Sequence, residues 1–147
     1  MHTYKKILVV VDLSPDSNLI LERAKSLIAG STAELALLHV VEYVPLEPIG
    51  ETLMPALEIE GELTTRATQR LRELATHHGL SHCTQLVVVG GIKAEIQYAA
   101  EQAQVDLIVV GNHGRQGLKA ILNFTEDAVL HSASCDVLAV RLPTQRS

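Results

Sequence analysis

The chain has 147 residues, 47% of them hydrophobic, and a formal charge of −5 at neutral pH. That length suits one domain with a sizeable core, and that apolar share excludes an intrinsically disordered chain. Aromatic residues make up 3%, Trp is absent and 17 acidic residues outnumber 12 basic ones, which argues against a nucleic-acid binder with stacking platforms and a basic face.

Along the chain, apolar runs alternate with amphipathic stretches. KILVVVD (6–12) is a continuous β-branched run of the kind that forms a strand buried on both faces of a parallel sheet. The run stops at Asp12, too early for a signal peptide, although Lys5 and Lys6 precede it. Ser14 and Pro15 suit the cap and first turn of a helix. Ile20, Ala24, Leu27 and Ile28 then recur at helical spacing until Gly30 stops it. AELALLHV (33–40) reads as a second strand. EYVPLEPIGETLMP holds three of the five prolines and reads as a long loop, of the sort used as a lid or a partner contact.

Leu63, Ala67, Leu71 and Leu74 set a second helix ending at Gly79, with Glu58, Glu60 and Glu62 on a solvated face. His77 and His78 fall at its end, where they suit the terminal carbonyls and the dipole. CTQLVVV (83–89) is a third strand running into Gly90 and Gly91, and Ile96, Ala99, Ala100 and Ala103 mark a third helix. DLIVVG (106–111) is a fourth strand, Leu118, Ile121, Leu122, Thr125 and Val129 mark a fourth helix, and DVLAVRL (136–142) is a fifth strand. This alternation predicts an open, parallel, three-layer α/β domain over residues 1–147. Val9, Val11, Leu37, Val88, Ile108, Val110 and Leu138 are expected among its buried residues. Cys83 and Cys135 form no C-x-x-C and are expected to be reduced and buried. No apolar run approaches the ~18 residues of a membrane span. A cytoplasmic protein with neither membrane nor nucleic-acid partner is expected.

In such sheets ligands sit beyond the carboxyl ends of the strands. That draws Asp12, Leu13, Val40, Val41, Gly90, Gly91 and the segment from Gly111 around one crevice. Gly111, Gly114 and Gly117 follow a strand and open a helix, where bare backbone N–H groups and the helix dipole favour an anion, with Arg115 and Lys119 adding charge. The spacing is neither G-x-x-x-x-G-K-S/T nor G-x-G-x-x-G. On spacing alone, a tight strand-to-helix turn is the reading that the glycines favour. Asp12 suits a ribose or an adenine amine, or a turn in which it accepts backbone N–H groups near Ser14. His39 and His113 lie near the crevice, but no metal-ligand spacing is present, so no metal is expected. There is no G-x-S-x-G elbow, and Cys135 precedes its strand, at the wrong end for the crevice. No catalytic residue is assigned.

Taken together, KKILVVVDLSPDS (5–17), LLHVVE (37–42), VVVGGIKAEI, DLIVVGNHG and CDVLAVRL resemble the universal stress proteins, specifically the UspA type, over nearly the whole chain. The resemblance implies a Rossmann-like, open five-stranded parallel sheet of order 3-2-1-4-5 with helices on both faces. It also implies a homodimer through the edge strand Val137–Arg141, which has no proline or lysine inside it to discourage pairing. ATP-binding members of the family carry G-x2-G-x9-G-S/T. Gly111 and Gly114 match its first half, with Asn112, Arg115 and Gly117 among the residues that would surround the phosphates. The second half is broken in either register: Phe124-Thr125 stand on the final pair without a gap, and Asn123-Phe124 with one residue missing. Asp12-Leu13-Ser14 replaces the Asp-Gly-Ser of ATP binders, and Val40 closes the set of family-implied nucleotide contacts. The resemblance therefore implies a non-catalytic, dimeric stress-response regulator acting through protein contacts, with a degenerate nucleotide crevice. The alternative is a switch that binds ATP or another adenine nucleotide, with feeble hydrolysis. A small α/β enzyme using the same crevice is a third reading, without an acid–base constellation to support it.

Overall fold

The structure is a computed structural model describing residues 3–42, 53–112 and 134–143, without the side chains of 53–58. Its elements are β1 (Lys6–Val10), α1 (Ser17–Ile28), β2 (Glu34–Glu42), α2 (Leu53–His77), β3 (Thr84–Gly90), α3 (Ile92–Ala103), β4 (Leu107–Asn112) and β5 (Asp136–Arg141). All strand pairs are parallel and the order is β3-β2-β1-β4-β5. The α/β class, the strand order and helices on both faces are as the sequence and its resemblance implied.

Strand periodicity explains why the central runs are apolar throughout. Ile7, Val9, Val11, Leu35, Leu37, Leu107 and Val109 face α1 and α2, meeting Ile20, Leu21, Ala24, Ala67, Leu71 and Ala75. Leu8, Leu38, Val40, Ile108 and Val110 face the other way, toward Ile96 of α3. Both sides of the central strands are covered over most of their length, which is why their runs are apolar rather than alternating, His39 of β2 being the exception. Burying one such Leu or Val contributes about 1.5–3 kcal/mol.

Five of the seven expected core residues are buried, whereas Val88 and Leu138 are half-buried. Both sit on β3 and β5, the two edge strands, where one flank lacks a neighbour. Cys83 and Cys135 are free thiols and also half-buried, not fully enclosed as expected. Burial pushes both thiols above their ordinary value, and the negative charges of Asp136 and Asp106 add to this at Cys135.

Two helix starts differ from the expectation. α2 begins at Leu53, inside the stretch read as a loop, because Pro55 falls in the first turn, where a missing N–H costs nothing. α1 begins at Ser17 with Asp16 at its N-cap, and Ser14 does not cap it. Ser14 instead opens a turn in which Ser17 N–H donates to its carbonyl at 2.9 Å. The fourth helix (Leu118 to Val129), Lys119 and most of the proline-rich stretch lie outside the described residues.

At the other end of the sheet the chain is fastened across long sequence distances. The Asp106 carboxylate accepts the N–H groups of Lys5 at 2.9 Å and Lys6 at 3.1 Å, and Asp106 N–H donates to the Lys6 carbonyl at 2.9 Å. The Tyr4 hydroxyl donates to Asp136 Oδ2 at 2.7 Å. These bonds set the register of β1 against β4 and leave the carboxyl ends of the two strands side by side.

Candidate functional site

Beyond its last paired residue, β1 continues for one more step: Val11 N–H donates to the Leu38 carbonyl at 2.9 Å. His39 Nδ1 lies 2.9 Å from the Val11 carbonyl. A carbonyl only accepts, so that nitrogen carries the proton. The His39 ring thus ties the end of β1 to β2, and among the described residues no group of His, Cys, Asp or Glu has metal-site geometry.

The turn that follows is organised by Asp12. Its Oδ1 accepts from Ser14 N–H at 2.9 Å and from Ser17 Oγ at 3.1 Å, the turn-acceptor role that its sequence position allowed. Leu13 adopts the left-handed conformation with φ 65°. Its side chain is only 7% exposed and joins the core beneath α1 and α2. A branched residue in this region is strained by about 1–2 kcal/mol. Burial of the isobutyl group, about 1.5–3 kcal/mol, offsets that cost.

On the neighbouring strand, Gly111 pairs with Val140 and Asn112 with Arg141, and Leu142 N–H donates to the Asn112 carbonyl at 2.8 Å. A Cβ on Gly111 would stand 2.7 Å from Leu142 Cδ1 and 2.9 Å from Ile20 Cδ1. Close packing thus favours glycine there, since a Cβ would have to displace two terminal methyls. Val40, on the far side of β1, is buried toward α3 and pairs with Val88. The structure thus brings Asp12, Leu13, Gly111 and Asn112 to adjacent strand ends and places Val40 on the strand flanking β1. His113, Gly114, Arg115, Gly117, Asn123, Phe124 and Thr125 lie outside the described residues.

Two side chains make contacts that have no local signal in the sequence. Arg70 of α2 donates to the Leu13 carbonyl. His78, just past α2, is buried, with Nδ1 2.9 Å from Glu22 Oε1 and Nε2 2.7 Å from Asn18 Oδ1. It was expected to satisfy its own helix end; instead it bridges to α1. The separations, 57 residues for Arg70 and 56 and 60 for His78, put these pairings beyond any periodicity argument. Between the N-terminal end of α1 and this part of α2 runs a groove of about 430 Å³.

Residues 3–141 match the family model described as the universal stress protein family. The chain is 41% identical over 143 residues to universal stress protein A homolog 2 of Coxiella burnetii, covering 97% of this chain and 98% of that one. The solved structure of hypothetical protein MJ0577 superposes with a TM-score of 0.75 at 27% identity, covering 99% of this chain and 100% of the other. A universal stress protein solved in complex with cAMP shares the fold, with a TM-score of 0.63 at 23% identity over 95% of this chain and 98% of its own. With its strand order, its strand-end turn and these matches over nearly its whole length, the chain belongs to the universal stress protein family.

Proposed function

We propose that this protein is a non-catalytic, cytoplasmic, dimeric regulator of the stress response that acts through protein contacts, its strand-end crevice being a degenerate nucleotide site. Leu13 is the observation that carries this reading. The position that resemblance assigns to glycine in ATP binders holds a buried leucine in the left-handed region, tied by its carbonyl to Arg70. The side chain supports the core, and the neighbouring Asp12 and Gly111 have structural duties of their own.

Dimerisation is assigned to β5, whose outer flank is an open edge of the sheet. Light scattering at micromolar concentration should give twice the chain mass, and a monomer would overturn the assignment. Native mass spectrometry of the gently purified protein should find no retained nucleotide, and millimolar Mg-ATP should barely move the melting temperature. A ligand at 100 times its Kd would add about 2.7 kcal/mol, so tight binding cannot escape this measurement.

The second reading, an adenine-nucleotide switch, is favoured by the glycines at 111 and 114 and by the cAMP complex of a protein with the same fold. Rebuilding the broken motif separates the two readings. Asn123→Gly with Phe124→Ser, or Phe124→Gly alone, should create a thermal shift with Mg-ATP that the unmodified chain lacks. Low-micromolar binding by the unmodified chain would establish the switch instead.

A further inference from the structure

The groove between α1 and α2 contains a charge arrangement that the proposed function does not use. Arg70 and Glu73 both line it and stand three residues apart on α2, a spacing at which opposite charges ordinarily pair. Here they do not. Arg70 turns to the Leu13 carbonyl, while Glu73 accepts from Gln69 Nε2 at 3.1 Å. The guanidinium uses one backbone acceptor and has no carboxylate partner among the described residues.

The surrounding walls are held in place. Asn18 donates through Nδ2 to the Pro15 carbonyl at 3.0 Å and meets His78 Nε2 at 2.7 Å, so both ends of its amide are engaged. Ser14 lines the same groove, although its hydroxyl oxygen is closed off from solvent and has no hydrogen-bond partner among the described residues. Leu13, Pro15 and Leu74 add apolar surface beside these polar groups.

We infer that this groove is a binding site for a small zwitterion of the α-amino-acid type with an apolar side chain. The carboxylate goes to the Arg70 guanidinium, the ammonium goes to Glu73, and the side chain lies on Leu13 and Leu74. A simple anion would meet Glu73 and a simple cation would meet Arg70, so each half-ligand satisfies one charge and is opposed by the other. The volume of about 430 Å³ accommodates a molecule of that size. The lining shares Leu13 with the strand-end turn but includes neither Gly111 nor Asn112, so the site does not depend on how the crevice is read.

The test is an NMR titration of the full chain with three probes at constant ionic strength. L-leucine carries both charges, isocaproate lacks the ammonium and isoamylamine lacks the carboxylate. Leucine should shift the Ser14 and Asn18 amides and Arg70 Nε saturably, in the millimolar range, with each half-ligand at least about tenfold weaker. Glu73→Gln should bring leucine down to the level of isocaproate, and Arg70→Gln should bring it down to that of isoamylamine. Arg70 also holds the turn, so Glu73→Gln is the cleaner variant: among the described residues its carboxylate is bonded to Gln69 alone. Absence of saturable shifts, equal binding of the three probes, or shifts confined to Gly111 and Asn112 would each overturn the site. The crevice reading would stand untouched.

Discussion

Gly111 and Leu142 are in close contact: a Cβ on Gly111 would come within 2.7 Å of Leu142 Cδ1, so that methyl would have to move to admit even an alanine. Leu142 is itself 2% exposed, so it has little room to withdraw. Gly111→Ala should therefore destabilise the fold by about 1–3 kcal/mol, the usual range for overpacking. Urea unfolding with an unchanged m-value would show it. An alanine variant of undiminished stability would remove the packing explanation and return this glycine to the phosphate question.

Leu13 makes an inverted prediction. At most buried positions alanine is tolerated better than glycine, but a left-handed residue penalises any Cβ by about 1–2 kcal/mol. Leu13→Ala loses the buried isobutyl group and keeps the strain, at about 2–4 kcal/mol. Leu13→Gly loses the same group and releases the strain, so it should be the more stable of the two by about 1 kcal/mol. Equilibrium unfolding of both variants decides the order. Alanine above glycine would mean that the φ of 65° is not retained in solution.

His78 should matter more than its position at a helix end suggests. His78→Leu keeps the bulk but removes the bonds to Asn18 Oδ1 and Glu22 Oε1, the latter keeping Lys25 Nζ at 3.4 Å. Two hydrogen bonds at about 0.5–1.5 kcal/mol each predict a loss of about 1–3 kcal/mol. The Glu22 side chain is 58% exposed, so its charge adds little beyond the bond itself. Hydrogen exchange should quicken in the first turns of α1 while the β1 amides stay protected. Uniform acceleration across the sheet would show global loosening instead.

The phenol of Tyr4 is raised above its ordinary value of 10.0, chiefly by its hydrogen bond to Asp136, then by burial and by the charges of Asp136, Asp106 and Cys135. A raised folded-state pKa means that the native protein holds this proton more firmly than the unfolded chain does. The contribution is present in full below about pH 10 and is lost as pH rises through the folded pKa. The stability gap between the unmodified protein and Tyr4→Phe should accordingly narrow in that alkaline window. A gap that stays constant through it would dismiss the Tyr4–Asp136 bond.

The central strands were legible because burial on both faces leaves a mark that needs no partner: Ile7 to Val11 and Leu107 to Val110 are apolar without interruption. The edge strands carry the same mark, since TQLVVVG and DVLAVR are equally apolar, so composition did not reveal that Val88 and Leu138 are half-exposed. Prolines misled at the start of α2, because Pro55 breaks a helix interior but not a first turn. Ser14 looked like a cap by residue type, whereas the Asp12 carboxylate claimed the turn first. Arg70 and His78 were invisible for a different reason. Nothing local marks a side chain whose partner comes from another helix, and only the folded chain supplies that information.

Because β1 lies at the centre of the sheet, biosynthesis must leave it unfinished for a long time. Its β2 flank can be satisfied early, but its other flank waits for Leu107–Val109, and the Asp106 carboxylate that fastens Lys6 lies 100 residues downstream. At roughly 5–20 residues per second, that delay lasts roughly 5–20 s on the ribosome. Throughout it, one side of an apolar strand is a bare pairing edge emerging into a crowded solution. Such an edge invites mispairing, and the residues of β1 are among the last to be locked in place although they are made long before their β4 partners.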